Sequence, residues 1–404
     1  MRLQSSRVAP LALTAISILI AIVVLEGGAR LLYYVRWNGH LYKLNPIEYS
    51  PRLGWQLAAG RYHDFAINAQ GFRHSSDVAL TPAPDTVRIF LAGGSTAFGT
   101  NGLYPQIPAK PLSSKDTIDS HLQDILNARL RGAGAYEVIN AGVPEYRLFQ
   151  EITLLREKLL SFKPQIVVFL DGHNDISFLT AGSVLTDSAA PYWNNRHFQR
   201  LARVMNSASA LGALYWLDVF FGRVSYIYHG LSVLFQRTAD WTAATDRGAW
   251  GTAVFRPEDE ARLKQVYAAQ LREVDEVLPL YLSQIADLKA IAASRGIRVI
   301  YALQPELLVE PTSSLTPTEA RIQELAFRHH RDLGTLKWRY LSSKISGYLE
   351  KVRDEKFRTV NLVSIAPNHS EDLYTDYCHL TTAGNLVVAE RLYADIATSL
   401  DGTR

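Results

Sequence analysis

Apolar positions along this chain follow two rhythms. Short apolar runs recur at Val87–Leu91, Glu137–Asn140, Ile166–Leu170, Ile297–Leu303 and Thr359–Ile365. Runs of this length suit strands, and the unbroken ones suit strands buried on both faces of a parallel sheet. Between them apolar residues recur at helical spacing. Asp116 or Thr117 can cap a helix to about Arg131, with Ile118, Leu122, Ile125, Leu126 and Leu130 on one face. Further helices are expected over Leu148–Phe162, stopped before Pro164, and over Glu258–Arg295 with a break near Pro279. Pro317–Glu355 and Thr382–Leu400 complete the set. The alternation predicts an α/β fold: a three-layer α/β/α sandwich on a mainly parallel five-stranded sheet.

Two segments break this rhythm. Residues 176–255 are rich in Tyr, Trp, Phe and Leu, with helical stretches at Ala202–Phe220 and Val224–Phe235. They read as a helical insertion that covers a pocket, packs on the core or touches a membrane. The second is N-terminal. Ala9–Leu25 carries no charge and nearly spans a hydrocarbon core, and Gly27–Tyr34 can extend it with Glu26 and Arg30 at the interface. Arg2 and Arg7 favour an inside N-terminus, while Arg30 and Arg36 vote the other way. A cleaved signal peptide competes, although the run is long and no small-x-small site follows it.

The expected organisation is a transmembrane anchor over 1–35, an appendage or linker over 36–85 and a catalytic domain over 86–404. The appendage carries scattered aromatics (Tyr49, Trp55, Tyr62, Phe65, Phe72) and a turn on Gly71. The chain is then a single-pass membrane protein with its main domain periplasmic or extracellular.

Composition narrows the chemistry. Among 404 residues, 48% are hydrophobic, 20% are charged and the net charge is +3, with no basic run to suggest nucleic acid. The single cysteine, Cys378, allows no intramolecular disulfide and no cysteine-based zinc site. A Cys378 nucleophile is a formal option, but the side chain of its neighbour His379 is expected to diverge from it. The basic cluster Arg328, His329, His330, Arg331 reads as a solvated helix face.

Four polar islands remain. Gly93-Gly94-Ser95-Thr96 follows the first run, Asn140-Ala141-Gly142 the second and Gly172-His173-Asn174-Asp175 the third. Asp376-Tyr377-Cys378-His379 comes after the fifth, beyond a loop. Parallel sheets gather sites at the carboxyl ends of their strands, so the islands can meet. A tight turn leaves Ser95 exposed as a candidate nucleophile. The backbone N–H groups of Ser95 and Gly142 and the Asn174 amide can stabilise an oxyanion. The spacing of Asp376 and His379 lets the carboxylate hold the ring that accepts the Ser95 proton. Each island also has a plain reading: a phosphate loop, a turn, a helix cap, an incidental histidine. His173 ranks below His379 as a base, because its only nearby acids in sequence are Asp171 and Asp175; a substrate-contacting or structural role suits it better.

The order Ser, Gly, Asn, Asp-x-x-His resembles the four blocks of the SGNH hydrolases, the GDSL-like esterases. The resemblance covers roughly 86–175 and 360–400 and implies Ser95 as nucleophile, His379 as base and Asp376 as its partner. It implies Ser95, Gly142 and Asn174 as oxyanion donors and requires no cofactor or metal. Gly94 departs from the usual Asp before the serine, as membrane-anchored bacterial members often do. Gln304-Pro305 and Gly71-Phe72-Arg73 also look like features of that subgroup, without catalytic roles.

The reading is a membrane-anchored serine esterase whose substrate is an acylated saccharide or lipid, with acetyl as the expected acyl group. An O-acyltransferase passing the acyl group to a polysaccharide hydroxyl, and a non-catalytic glycan-binding or scaffold protein, are the rivals.

Overall fold

Alternate residues of each central strand face opposite ways, and both sets are apolar. Phe90, Val167, Phe169, Val299, Tyr301 and Phe357 enter one core, while Ile89, Leu91, Val168, Leu170, Ile300 and Val360 enter a second. A strand that is apolar on both faces needs helices on both.

A computed structural model shows how this is met. It describes residues 5–36, 46–50, 52–103, 107–130, 134–180, 221, 225–228, 231, 251, 253–366 and 369–401. Most of the expected insertion, including Ala202–Phe220, lies outside the described residues. The central strands are β1 (Thr86–Gly93), β2 (Ala135–Asn140), β3 (Ile166–Asp171), β4 (Arg298–Leu303) and β5 (Phe357–Asn361). They form one five-stranded parallel sheet in the order β5-β4-β3-β1-β2. The strand order reverses beside β1, which opens a crevice at its carboxyl end.

The helices are α1 (Ser5–Arg36), α2 (Ser95–Phe98), α3 (Ile118–Arg129), α4 (Leu148–Glu157), α5 (His173–Thr180), α6 (Glu260–Val266), α7 (Ala268–Arg295), α8 (Pro317–Val352) and α9 (Thr382–Asp401). Helices α3 and α9 cover one face through Leu122, Leu126, Val388 and Leu392. Helices α4, α7 and α8 cover the other through Leu155, Tyr281, Ile285, Leu336 and Leu341. This is the expected α/β/α sandwich.

Residues 46–80 join the core under α4, α7 and α8 rather than trailing beside it. Trp55, Leu57, Tyr62, Ile67 and Phe72 are buried in it, and the Trp55 indole donates to Pro144 O at 3.0 Å. Gly71 lies in the expected turn, with Gly71 N–H donating to Asn68 O at 3.0 Å.

Several boundaries move for physical reasons. The fifth strand ends at Asn361, because the amides of Ile365 and Ala366 turn away to the Glu310 carboxylate at 2.6 and 3.1 Å. The expected helix Leu148–Phe162 breaks at Lys158 into α4 and a 3-10 turn. Pro279 does not break α7; its neighbours Leu278 and Tyr281 are buried, and packing outweighs the proline. The break falls at Tyr267 instead, whose hydroxyl donates to Asp332 at 2.8 Å. Helix α8 kinks at Arg331 (φ 57°, ψ −174°), a backbone region that disfavours side chains.

The kink corrects the solvated reading of residues 328–331. Arg328 pairs outward with Glu324, but His330 is buried, with its ring 5.2 Å from that of Tyr377. Burial pulls the His330 pKa down to about 3.

Helix α1 packs on little. Its segment Ala12–Arg36 has a mean hydropathy of 2.2 and is long and apolar enough to cross a membrane. Leu13, Leu19, Val24 and Leu32 are all exposed. Glu26 accepts from Ser225 Oγ at 2.8 Å and Tyr226 N at 3.0 Å, which ties α1 to the described part of the insertion.

Candidate active site

Ser95 opens α2 directly after β1, at the crevice where the strand order reverses. As the first helical residue it has an N–H with no intrahelical acceptor. The far end of α2 is gripped by side chains. Asn140 Nδ2 donates to Ala97 O at 2.8 Å, and the buried Arg73 guanidinium donates to Phe98 O, Gly99 O and Leu112 O. Burial draws the Arg73 pKa down to about 10, against the pull of Asp119 and Asp64. The second island therefore anchors the first.

Asn174, at the start of α5, donates through Nδ2 to Tyr146 O at 2.7 Å. A primary amide has a second hydrogen, which remains for another acceptor. A Cβ on residue 94 would stand 2.5 Å from this nitrogen, so Gly94 is what lets the Asn174 amide close onto the turn before Ser95. Gly142 is also pressed close, since a Cβ there would meet Phe98 N at 2.5 Å. Its N–H donates to Asn140 Oδ1 at 3.0 Å, so any oxyanion would share this hydrogen.

The last island closes the site. His379 Nε2 lies 2.8 Å from Ser95 Oγ, and His379 Nδ1 lies 2.7 Å from Asp376 Oδ2. The other oxygen of Asp376 accepts from the amides of Cys378 and His379 at 2.9 and 2.7 Å. Burial alone would raise the Asp376 carboxyl, but His379 and these two amides hold it down to about 2. Ionised Asp376 fixes the ring with Nδ1–H towards itself and the Nε2 lone pair towards Ser95. Thr96 Oγ1 donates to Cys378 O at 3.1 Å, joining the Ser95 turn to the histidine loop.

Two buried glutamates hold that loop in turn. Glu319 Oε1 accepts from Leu373 N and Tyr374 N at 2.6 and 3.1 Å, and Glu310 Oε1 accepts from the Tyr374 hydroxyl at 2.8 Å. Sequence reading did not single out either. Thr316-Pro317-Thr318-Glu319 carries the capping-box pattern that would have marked Glu319, and the box is formed.

The ring against Ser95 is that of His379, not His173, but the sequence reasoning missed an acid beside His173. His173 has an acid partner far away in sequence: its Nδ1 lies 2.7 Å from Oε1 of the buried Glu306. Burial pushes the Glu306 carboxyl up, and His173 opposes this. Only the side-by-side parallel pairing of β3 and β4 brings the two together, and no sequence spacing signals it.

Asp376, Cys378 and His379 lie close enough to hold an ion. The Asp376 and His379 atoms concerned already bond one another, and burial pushes the Cys378 thiol well up, away from the thiolate a metal or a nucleophile needs.

No family profile and no curated protein sequence matches the chain. Some solved structures are similar to it. The aryl esterase of M. smegmatis, bound to an inhibitor, is 14% identical with a TM-score of 0.36, over 77% of this chain and 99% of that one. The lipase/acylhydrolase of Enterococcus faecalis is 12% identical with a TM-score of 0.34, over 77% and 95%. A GDSL-like lipase from Bacteroides thetaiotaomicron is 13% identical with a TM-score of 0.32, over 79% and 91%. At these values the functional reading rests on the geometry of Ser95, His379 and Asp376 alone.

Proposed function

We propose that this protein is a membrane-anchored serine esterase of the SGNH type that cleaves an acyl ester, acetyl in the simplest case, on a saccharide or lipid. The observation that carries this reading is the relay from Ser95 Oγ to His379 Nε2 at 2.8 Å and from His379 Nδ1 to Asp376 Oδ2 at 2.7 Å. A binding module needs no such chain of proton acceptors, whereas an acyl-transfer site does.

Ser95 Oγ gives its proton to His379 Nε2 and attacks the ester carbonyl. The oxyanion draws on Ser95 N–H and Asn174 Nδ2, with Gly142 N–H sharing its hydrogen. The C–O bond to the alcohol breaks, and the departing alkoxide takes the proton from His379. Water then repeats the sequence: its proton passes to His379, its oxygen bonds to the acyl carbon, and Ser95 leaves with the proton returned. Asp376 keeps the ring oriented and stabilises the imidazolium in each half. Helix α1 would hold the chain in the membrane, with the catalytic domain on the outer or periplasmic side.

A fluorophosphonate probe on detergent-solubilised protein tests this reading. Wild type should be labelled covalently and Ser95→Ala should not. Folded wild type that resists the probe would remove Ser95 as an activated nucleophile and favour the glycan-binding alternative.

A further inference from the structure

The site contains a second imidazole held by a buried carboxylate, and the ester-cleaving steps above leave it unused. His173 and Glu306 make this pair at 2.7 Å; their side chains are 10% and 1% exposed. The ring is held on its faces as well. Its centroid lies 4.8 Å from that of Trp338 and 5.4 Å from that of Tyr377. Tyr377 belongs to the loop that carries Asp376 and His379, and Asn174 directly follows His173, so the ring packs on the histidine loop and lies one residue from Asn174 in the chain. Gln304 Nε2 reaches Glu306 Oε1 at 3.5 Å and Thr96 Oγ1 at 3.4 Å, which links the pair to the residue after the nucleophile.

A residue needed only for packing would not have to keep a polar edge. Glu306 takes up the Nδ1 edge, which sets the neutral ring with its Nε2 lone pair on the opposite side. Among the described residues Nε2 makes no hydrogen bond, and the side chain keeps a tenth of its surface exposed. A lone pair on a ring packed against the histidine loop, with no donor among the described residues, matches a donor supplied by substrate. The alcohol half of an ester supplies one only when it carries a further hydroxyl.

We infer that His173, oriented by Glu306, is a substrate-binding residue that accepts a hydrogen bond from a free hydroxyl on the alcohol half of the ester. It would select sugar or polyol esters over simple alkyl or aryl esters. This rests on the serine esterase reading, and it names the substrate class that reading leaves open. No proton is transferred in this contact. The His379 steps are unchanged.

The test uses full-length protein in detergent and two substrates: a monoacetylated monosaccharide with a free hydroxyl beside the ester, and 4-nitrophenyl acetate. His173→Asn keeps an N–H for Glu306 but removes the Nε2 acceptor. It should lower kcat/KM for the sugar acetate by about tenfold or more, mostly through KM, as loss of one hydrogen bond of ordinary strength predicts. Aryl acetate turnover and fluorophosphonate labelling should change by less than about twofold, which also shows that the variant folds. Glu306→Ala should produce the same split by releasing the ring. An equal fall on both substrates would make His173 structural and overturn the inference. No fall on the sugar ester would overturn it as well. Wild type inert to fluorophosphonate would overturn the esterase reading and this inference with it, a result distinguishable from the other two.

Discussion

At the residue scale, Asp376 does two jobs with two oxygens. One caps the amides of Cys378 and His379, and the other holds the His379 ring. Asp376→Asn should keep the loop, since a side-chain oxygen remains for the caps, but it weakens the hold on the tautomer. We expect kcat on an aryl acetate to fall by roughly 10³–10⁴-fold with circular dichroism unchanged. Turnover near wild type would show that the carboxylate has no part in the chemistry. The same residue couples to pH. Its folded pKa of about 2 lies below the ordinary aspartate value of 3.8, so its contribution to stability is present above the unfolded value and is lost as pH falls through the folded one.

At the element scale, three carboxyls meet behind the site: Glu151 of α4, Asp171 of β3 and Asp175 of α5. Tyr301 donates to Asp171 at 3.1 Å and Leu148 N to Asp175 at 3.0 Å, while among the described residues neither Glu151 oxygen has a partner. Burial raises all three, with mutual repulsion adding to Glu151 and Asp171, and Asp175 reaches about 6. Here the sign is opposite to that of Asp376. A folded pKa above the unfolded one leaves the fold unpenalised below the unfolded value and costs stability as pH rises through the folded one. Glu151→Gln removes one of these acids. Its melting temperature relative to wild type should therefore climb as pH rises from about 5 to about 8. A gap that stays constant, or moves the other way, would show that Glu151 is not held protonated by this cluster.

At the scale of the whole molecule, helix α1 stands apart from the sandwich, while residues 46–80 do not. Trp55, Phe72 and Arg73 share a core or a hydrogen-bond network with the nucleophile turn. In the described residues α1 meets the rest of the chain through Glu26, Arg30 and Tyr33 at Ser225–Tyr228. Removing residues 1–36 should release the protein from membrane pellets and leave Ser95 open to fluorophosphonate. Truncated protein that still sediments with membranes would locate the attachment elsewhere in the chain. Truncated protein that is soluble but unlabelled would mean that α1 supports the site as well.

Sequence alone determined the features that depend on local physics. Apolar runs marked four of the five central strands closely, helical spacing marked α3 and α9, and the islands at strand ends pointed to Ser95, Asn174, Asp376 and His379. A buried strand or an amphipathic helix carries its environment in its own composition, so these were legible without coordinates. The tertiary structure decided whatever depends on a partner distant in the chain. Glu306 finds His173 across 133 positions, and Arg73 reaches the end of α2 from outside the expected catalytic domain. Gly142 N–H turns to Asn140, and the kink at Arg331 takes His330 out of a face that composition alone marked as solvated. These outcomes follow from the crossing of strands and the competition for buried hydrogen-bond partners, which no window along the sequence contains.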